Sequence, residues 1–238
     1  MKPSDAGLSC ANCPVRHTTE WASLTDEEAE ILDKGKIDRS YLPGDVIYNQ
    51  GDMSDGLYAV HSGLVGLRRY ESDGSSLLLH LVRNGTVFGY RSYLSKTEHS
   101  VTAEVLMPGK VCFIHSRTVQ ILLQQNPDVG LGFLEHSLAN MKDMEAKYVR
   151  AAVLPVKSRV LHFLLTLYEQ YGTRSENGDY ILDIPLSRRD LASAVGATPE
   201  TLSRTVRLIE EDGLVIFHGK QIRIPDLKPI LDAVPVIL

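Results

Sequence analysis

Two short helix patterns joined by a glycine-containing turn occupy residues 186–213 of this 238-residue chain, in the stretch LSRRDLASAVGATPETLSRTVRLIEEDG. Ser187, with an aspartate three residues later, has the spacing of a capping box and predicts the start of the first helix. Gly196 predicts the end of that helix, because glycine adopts a positive φ without steric cost. Thr198 suits the N-cap of a second helix, and Pro199 suits its first position. The stretch therefore predicts a helix–turn–helix unit.

The second predicted helix has one apolar and one polar face. Leu202, Val206 and Ile209 recur at helical spacing and predict its buried stripe. The side chains of the other face suit the DNA major groove, because arginine can bond guanine bidentately, glutamate can accept from cytosine, and serine is a short, adaptable contact. These polar side chains are Glu200, Ser203, Arg204 and Arg207.

A strand–turn–strand pattern follows this helix. Two apolar strands flank the sequence His218, Gly219, Lys220, and such a hairpin can lie on DNA phosphates as a wing. A module that binds only protein is the alternative, because helix–turn–helix packing also occurs in proteins that bind no nucleic acid. The residues predicted to contact DNA are Thr198, Glu200, Ser203 and Arg204, with Arg188, Arg189, Arg207, Lys220 and Arg223 as phosphate contacts or surface charge.

The order E-x-x-S-R formed by Glu200, Ser203 and Arg204, followed by the hairpin, resembles the winged helix–turn–helix of the CRP/FNR family of bacterial transcription regulators. Within that family the order is similar to the FNR-like branch. The resemblance implies a homodimer that binds double-stranded DNA at TTGAT-like half-sites arranged as a palindrome. Two recognition helices of such a dimer enter successive major grooves, about one helical turn apart. RNA polymerase is a further partner that the resemblance implies.

The N-terminal half has short apolar segments at the spacing of a β-barrel or roll. Separate strands are predicted at residues 57–60 and 65–70, on either side of residues 61–63, and a turn is predicted at residues 107–109. The order PGD…QGD…LY-x-V-x-SG-x-V, which begins at Pro43, resembles the cyclic-nucleotide-binding β-roll of the same family. The resemblance therefore covers nearly the whole chain.

Two positions argue against a cyclic nucleotide as the signal. Family members that bind one place an acid soon after a glycine, to hold the ribose, and an arginine before serine or threonine, to hold the phosphate. Tyr90 follows Gly89 where the acid is expected, and His99 precedes Ser100 where the arginine is expected. A neutral imidazole is a poor substitute for a bidentate guanidinium clamp. We therefore expect no cyclic nucleotide.

The chain has three cysteines, Cys10, Cys13 and Cys112, and an odd number argues against a disulfide framework. FNR-like oxygen sensors carry a group of cysteines in the N-terminal arm and a distant one near the end of the β-roll. The resemblance therefore implies that these three thiolates are metal ligands of a possible [4Fe–4S] iron–sulfur cluster. The signal would then be oxygen, a redox change or a gas.

One arm cysteine of that pattern is missing, and Thr19 lies near its place. His17 and Glu20 are the candidates for a non-cysteine fourth ligand. A thiol switch between Cys10 and Cys13 is a second possibility, and a regulator with a small effector or no ligand is a third. Haem also stays open, since His61, His80, His99 and His115 are available, although none lies in a recognisable haem pattern.

The sequence motifs give little support for an enzymatic function. C-x-x-C is also the motif of thiol–disulfide oxidoreductases, but there it opens a helix after a strand of a βαβ unit. Here the motif precedes every predicted strand. The sequence also contains no glycine-rich phosphate loop and no nucleophile elbow, so we predict that the protein is not an enzyme.

A long helix is predicted at residues 128–152. Glu145 falls on its apolar seam, where a buried carboxylate would weaken pairing unless it reaches solvent. The seam resembles that of a coiled coil and predicts a homodimer, while an ordinary amphipathic helix packed on its own domain is the alternative. The apolar seam residues, near a 3-4-3 spacing, are Leu131, Leu134, Leu138, Met141, Tyr148 and Ala152.

Together these patterns predict an α+β protein with four parts. They are a cysteine-containing arm at 1–20, a cyclic-nucleotide-binding-like β-roll sensor at 21–125, a dimerisation helix at 126–154 and a winged helix–turn–helix at 155–238. The net charge of −5 does not mark a nucleic-acid binder, so local basic residues have to provide the phosphate contacts. Since no apolar run is long enough to span a membrane and the N-terminus lacks the apolar core of a signal peptide, we expect a cytoplasmic protein.

Overall fold

The computed structural model describes residues 9–234. The chain divides into two compact units whose boundary falls between Met141 and Lys142. The predictions for residues 1–8 of the arm and 235–238 of the winged domain lie outside the described residues.

The first unit begins with three 3₁₀ turns, Cys10–Asn12, Arg16–Thr18 and Glu20–Ser23. Its helices are α1 (Asp26–Lys34), α2 (Tyr90–Ser95) and α3 (Ser116–Gln125). Thr25 and Glu28 form the capping box that starts α1. The strands are β1 (Lys36–Tyr41), β2 (Val46–Tyr48), β3 (Gly56–Tyr70), β4 (Ser76–Val82), β5 (Thr86–Phe88) and β6 (Thr102–His115).

The six strands form one antiparallel sheet built around β3 and β6. These two pair with each other, β3 also pairs with β4 and β5, and β6 also pairs with β1 and β2. Because side chains alternate along a strand, β3 faces two apolar cores. Val60 is buried inside the roll with Val111, whereas Leu57 and Ile114 are buried beneath the helices and the arm.

Both long strands run through segments where we predicted a break. Residues 61–63 lie within β3 and residues 107–109 lie within β6, so the predictions of separate strands and of a turn were wrong. The ladder changes register here, and Gly63 has a φ of 96°. A Cβ on Gly109 would come within 1.9 Å of the Ser62 carbonyl oxygen, so only glycine fits. The glycines lie where the pairing register of β3 and β6 shifts. In a sequence, glycines at such a shift are hard to distinguish from glycines in a turn.

The long helix α4 (Pro127–Val153) spans the boundary between the units. The second unit continues with α5 (Val156–Tyr171), β7 (Gly172–Arg174), β8 (Tyr180–Asp183), α6 (Arg188–Val195), α7 (Pro199–Glu211), β9 (Ile216–His218), β10 (Gln221–Ile224) and α8 (Lys228–Ala233). Its four strands form an antiparallel sheet in the order β7-β8-β10-β9. Of the helices in the described residues, none has the length and apolar character needed to cross a bilayer.

Candidate DNA interface and cysteine cavity

The turn between α6 and α7 is held by short-range caps. Ser187 Oγ accepts from the Asp190 N–H at 3.1 Å, and Asp190 Oδ2 accepts from the Ser187 N–H at 3.0 Å. Gly196 ends α6 at a φ of 62°, and Thr198 Oγ1 accepts from the Thr201 N–H at 3.2 Å. The predicted capping box, glycine stop and N-cap are therefore confirmed.

The two faces of α7 divide as predicted. Leu202, Val206 and Ile209 are buried, and the predicted polar face, formed by Glu200, Ser203, Arg204 and Arg207, is exposed. Hydrogen bonding at the helix N-terminus, first to its own backbone N–H, lowers the pKa of Glu200. Glu200 is therefore a carboxylate acceptor at neutral pH.

Several basic side chains near α7 already have partners within the second unit. The Arg188 guanidinium lies 4.5 Å from the centre of the Phe217 ring, so it also supports the wing. Arg207 Nε donates to Glu211 at 3.0 Å, and Arg223 Nη1 donates to Asp179 at 2.9 Å. The remaining predicted phosphate contacts, Arg189 and Lys220, are exposed.

The sequence did not reveal three contacts that position these elements. Arg159 Nη1 on α5 donates to the Gly196 carbonyl oxygen at 3.2 Å and so fixes the turn. The Phe217 N–H donates to Glu210 Oε1 at 3.0 Å, which ties the wing to α7. The Thr205 hydroxyl donates to the Thr201 carbonyl oxygen at 2.8 Å, which lets a polar residue lie in the buried face.

The three cysteines line one cavity in the first unit. Cys10 and Cys13 flank the first 3₁₀ turn, and the Cys10 N–H donates to Asp33 Oδ1 at 3.1 Å. Cys112 lies on β6, paired with Ala59 of β3. The structure therefore brings together cysteines that are about 100 positions apart in the sequence.

The fourth-ligand candidates from the sequence do not line this cavity. His17 is exposed, and Glu20 is buried and ion-paired with His136 of α4. His61 does line the cavity, and its Nδ1 lies 3.6 Å from Cys13 Sγ. From the sequence we named His61 only as a histidine available to a haem, and did not place it beside the cysteines, because we took residues 61–63 for a break between strands.

Burial makes two of the thiols hard to ionise. It raises the pKa of Cys10 to about 12, and burial followed by a hydrogen bond with Asp38 raises the pKa of Cys112 well above its ordinary value. The Lys36 ammonium, ion-paired with Asp33 and Asp38, opposes both shifts.

Two residues that line the cavity have buried hydrogen-bond donors without acceptors. Arg16 and Trp21 both line it and are 7% and 2% exposed. Arg16 Nε and Trp21 Nε1 are buried and have no partner among residues 9–234. A buried donor without a partner is costly, so an acceptor is expected here. Cluster sulfurs accept such hydrogen bonds, and the cavity therefore fits an iron–sulfur cluster in both its thiol ligands and its donors.

In the part of the chain that the structure describes, no group of three or more histidine, cysteine, aspartate or glutamate side chains is arranged to hold one ion.

The arm that carries Cys10 and Cys13 packs on the first part of α4. The rings of Trp21 and Phe133 meet edge to face at 5.4 Å. A Cβ on Gly132 would lie 3.5 Å from the Glu20 Cα, so the arm lies close to the helix. The Glu20–His136 pair completes this contact.

The Glu20–His136 pair predicts a pH dependence of stability. The hydrogen bond with Glu20 raises the pKa of His136 above its ordinary 6.5 despite partial burial. A raised histidine pKa stabilises the fold fully below about pH 6.5, and this contribution is lost as pH rises through the folded-state pKa. We expect His136→Gln to lower Tm by about 2–4 °C at pH 6, equivalent to about 1 kcal/mol. The difference should shrink by pH 8.5 in thermal melts, and a pH-independent difference would contradict the ion pair.

The two positions that matter for a cyclic nucleotide are occupied by core side chains. Tyr90 is buried and its hydroxyl accepts from Asn140 Nδ2 at 2.6 Å. His99 is buried and stacks on Tyr48 with ring centres 3.7 Å apart. Both side chains therefore take part in packing within the first unit.

Comparisons with known proteins agree with this two-part architecture. Residues 38–126 match the family described as Cyclic nucleotide-binding domain, and residues 158–230 match the Crp-like helix-turn-helix domain. The chain is 27% identical over 217 residues to the Transcriptional activator protein FnrL of Cereibacter sphaeroides, which covers 89% of this chain and 86% of that protein. It is 25% identical over 207 residues to the Anaerobic regulatory protein of Bacillus subtilis, covering 83% and 86%.

A solved transcriptional regulator of the CRP/FNR family from Thermus thermophilus has the same fold. It matches with a TM-score of 0.69 at 27% identity and covers 82% of this chain and 97% of that one. The predicted α+β fold, with its β-roll, long helix and winged helix–turn–helix, is confirmed. The family and these relatives are transcription regulators, as expected for a protein that is not an enzyme. The chain belongs to the CRP/FNR family of DNA-binding transcription regulators.

Proposed function

We propose that this regulator is an FNR-type homodimer whose binding to a TTGAT-like palindrome is set by oxygen, redox state or a gas. The observation that carries the proposal is the single cavity that collects Cys10, Cys13 and Cys112 beside two buried donors without partners. The names of two relatives, an activator called FnrL and an anaerobic regulatory protein, point in the same direction. The regulator would act in the cytoplasm on double-stranded DNA, with RNA polymerase as a partner.

The proposed metal site is a [4Fe–4S] cluster held by the three cysteines. Bound in the cavity, such a cluster supplies sensitivity to oxygen and redox change. Arg16 and Trp21 would donate to its sulfurs, and the apolar surroundings would limit access of water. Ligation to the same cluster would then connect Cys112 on β6 with the two arm cysteines.

The dimer is proposed to form through the apolar seam of α4. Five seam side chains, those of Leu131, Leu134, Leu138, Met141 and Tyr148, are between 52% and 77% exposed in the single chain. A helix with this much exposed apolar surface at heptad spacing is expected to pair with a second copy of itself. Glu145 is also exposed on the seam. Burial of its carboxylate in a dimer would weaken association, so that a small change could shift the balance between monomer and dimer.

The arm is proposed to pass the signal to α4. Ligation of Cys10 and Cys13 would hold the 3₁₀ turns against β6 and keep Glu20 and Trp21 in their places on the helix. Release of the cysteines would free the arm and weaken that contact. Because α4 carries the dimer seam, a change at Phe133 and His136 can alter pairing of the two chains.

Anaerobic purification tests this proposal. We expect a coloured protein with about four iron and four sulfide per chain. Its binding to a TTGAT palindrome in gel shifts should change on exposure to air. Cys112→Ser is expected to lose most of the iron and the response to air while keeping the circular dichroism of the wild type. A colourless, iron-free protein that binds DNA equally with and without air would contradict the cluster proposal. Equal affinity for the palindrome and for a scrambled site would contradict the proposed half-site.

A further inference from the structure

We infer that His61 supplies the fourth protein ligand of the metal centre held by Cys10, Cys13 and Cys112. The inference rests on the proposed function, because it assigns a residue to the same cavity. It replaces the two arm candidates, His17 and Glu20, with a residue from the centre of the sheet.

The path of β3 places His61 at the cavity. Ala59 pairs with Cys112 and faces the arm side of the sheet, and Val60 is fully buried on the other side, inside the roll. His61 has no partner in the ladder, because the register shifts between Val60 and Ser62, and its side chain lines the cavity on the arm side. The cavity lining contains both Ala59 and His61, and the His61 Nδ1 to Cys13 Sγ distance of 3.6 Å brings the imidazole to the second arm cysteine.

The His61 ring is little committed to other contacts. Its hydrogen bonding, within the described residues, is limited to the weak contact with Cys13 Sγ. Two other histidines of the first unit are engaged, since His99 stacks on Tyr48 and His136 pairs with Glu20. Imidazole nitrogen is an accepted substitute for thiolate in iron–sulfur centres, as in Rieske clusters.

Thr19, which lies near the position of the missing cysteine, is not available as a ligand. It lines the cavity, but its hydroxyl donates to the Arg16 carbonyl oxygen at 2.7 Å and accepts from the Trp21 N–H at 3.2 Å. The bond from the Trp21 N–H caps the third 3₁₀ turn. The Thr19 hydroxyl therefore stabilises the backbone of the arm, and the fourth ligand has to come from another residue.

Asp38, which shares a hydrogen bond with Cys112, is a carboxylate that competes with His61. It pairs with Cys112 across β1 and β6, but Lys36 Nζ holds its Oδ2 at 2.5 Å. Asp38 is not part of the cavity lining, whereas His61 is. An ion-paired carboxylate outside the cavity is a weaker candidate than an imidazole inside it.

The test compares the full-length wild type with His61→Ala, His61→Cys, and two controls, His17→Ala and Asp38→Asn. Each protein is purified without air and reconstituted with iron and sulfide, and both elements are counted per chain. The reduced cluster of the wild type is then examined by pulsed electron paramagnetic resonance for coupling to a ligand nitrogen. This readout reports ligation directly and does not depend on DNA binding.

We expect nitrogen coupling in the wild type and in both controls. His61→Ala should lose at least half of its iron or lose its cluster several-fold faster in air. His61→Cys should retain the cluster and show no nitrogen coupling, which keeps the inference testable if the alanine variant folds poorly. A wild-type cluster without nitrogen coupling, and with His61→Ala equal to wild type, would overturn the inference and leave the cluster proposal intact.

The assignment of His61 can also be separated from the cluster itself. Zinc is the alternative metal. In a tetrahedral zinc site, the zinc–thiolate distance is about 2.3 Å and the zinc–imidazole distance is about 2.0 Å, so the sulfur and nitrogen atoms lie roughly 3.5 Å apart. If the wild type holds zinc without sulfide, the cluster proposal fails. X-ray absorption that shows a nitrogen neighbour of zinc, lost in His61→Ala, would still support His61 as the ligand. A protein that binds neither metal overturns both.

Discussion

Leu138→Glu is expected to lower the affinity for the palindromic site by at least about 100-fold, because two linked DNA-binding heads gain about 10²–10⁴ in avidity over one. Leu138 lies at the middle of the α4 seam and is 52% exposed in the single chain. In a paired seam, the new carboxylate would be buried opposite its own copy, which is costly for both charges. The exposed helical position tolerates glutamate in the monomer, so the loss should come from dissociation and not from unfolding.

Analytical ultracentrifugation and a gel shift on the palindrome measure this effect together. Ala139→Glu is the matched control, since it adds the same charge one residue away, at an exposed position off the seam. Glu145→Leu should act in the opposite direction and strengthen the dimer. A Leu138→Glu protein that remains dimeric, or binds the palindrome like the Ala139→Glu control, would show that the seam is not the dimer interface.

Arg204→Ala is expected to cost about 1–3 kcal/mol, or roughly 5- to 150-fold in Kd, at one base pair of each half-site. Arg204 is exposed on α7 one turn after Glu200, beside Ser203, where a recognition helix would meet the base edges. Among the residues that the structure describes, no hydrogen bond, ion pair or ring contact holds its guanidinium, unlike those of Arg188 and Arg207. The arginine is therefore free to bond guanine bidentately.

Binding to a set of half-sites with single substitutions distinguishes base reading from phosphate contact. Arg204→Ala should lower discrimination at one position and leave the others unchanged. Lys220→Ala is the control for a phosphate contact, because the exposed wing lysine should weaken all sequences alike and reduce the log–log salt slope by about one. If Arg204→Ala behaves like Lys220→Ala, its assignment to a base is wrong.

The helix–turn–helix was predictable because its signals are local. A cap, its bonding partner and the residue that ends the helix lie within a few positions of one another, as in Ser187, Gly196 and Thr198. The buried stripe of Leu202, Val206 and Ile209 follows from helical periodicity alone. The long α4 and its exposed seam followed from the same kind of pattern.

The predicted strand breaks were wrong because glycine occurs inside strands that approach closely as well as in turns. At residues 61–63 and 107–109 the glycines allow two strands to approach closely inside one ladder, which depends on a partner strand about 45 positions away. A sequence window that contains only one of the two segments cannot distinguish this from a turn. This misassignment also hid His61, because a residue in a loop has no defined face.

The sequence by itself determined the order of the parts, the face of α7 offered to a ligand, and the three cysteines that belong together. These rest on local spacing and on a family pattern that spans the chain. Only the tertiary structure decided what surrounds the cysteines, namely His61 from β3, the donors of Arg16 and Trp21, and the ion pair that removes Glu20 from the cavity. The reason is physical: ligands of a buried site converge from separate elements, and their distances are set by strand register and packing.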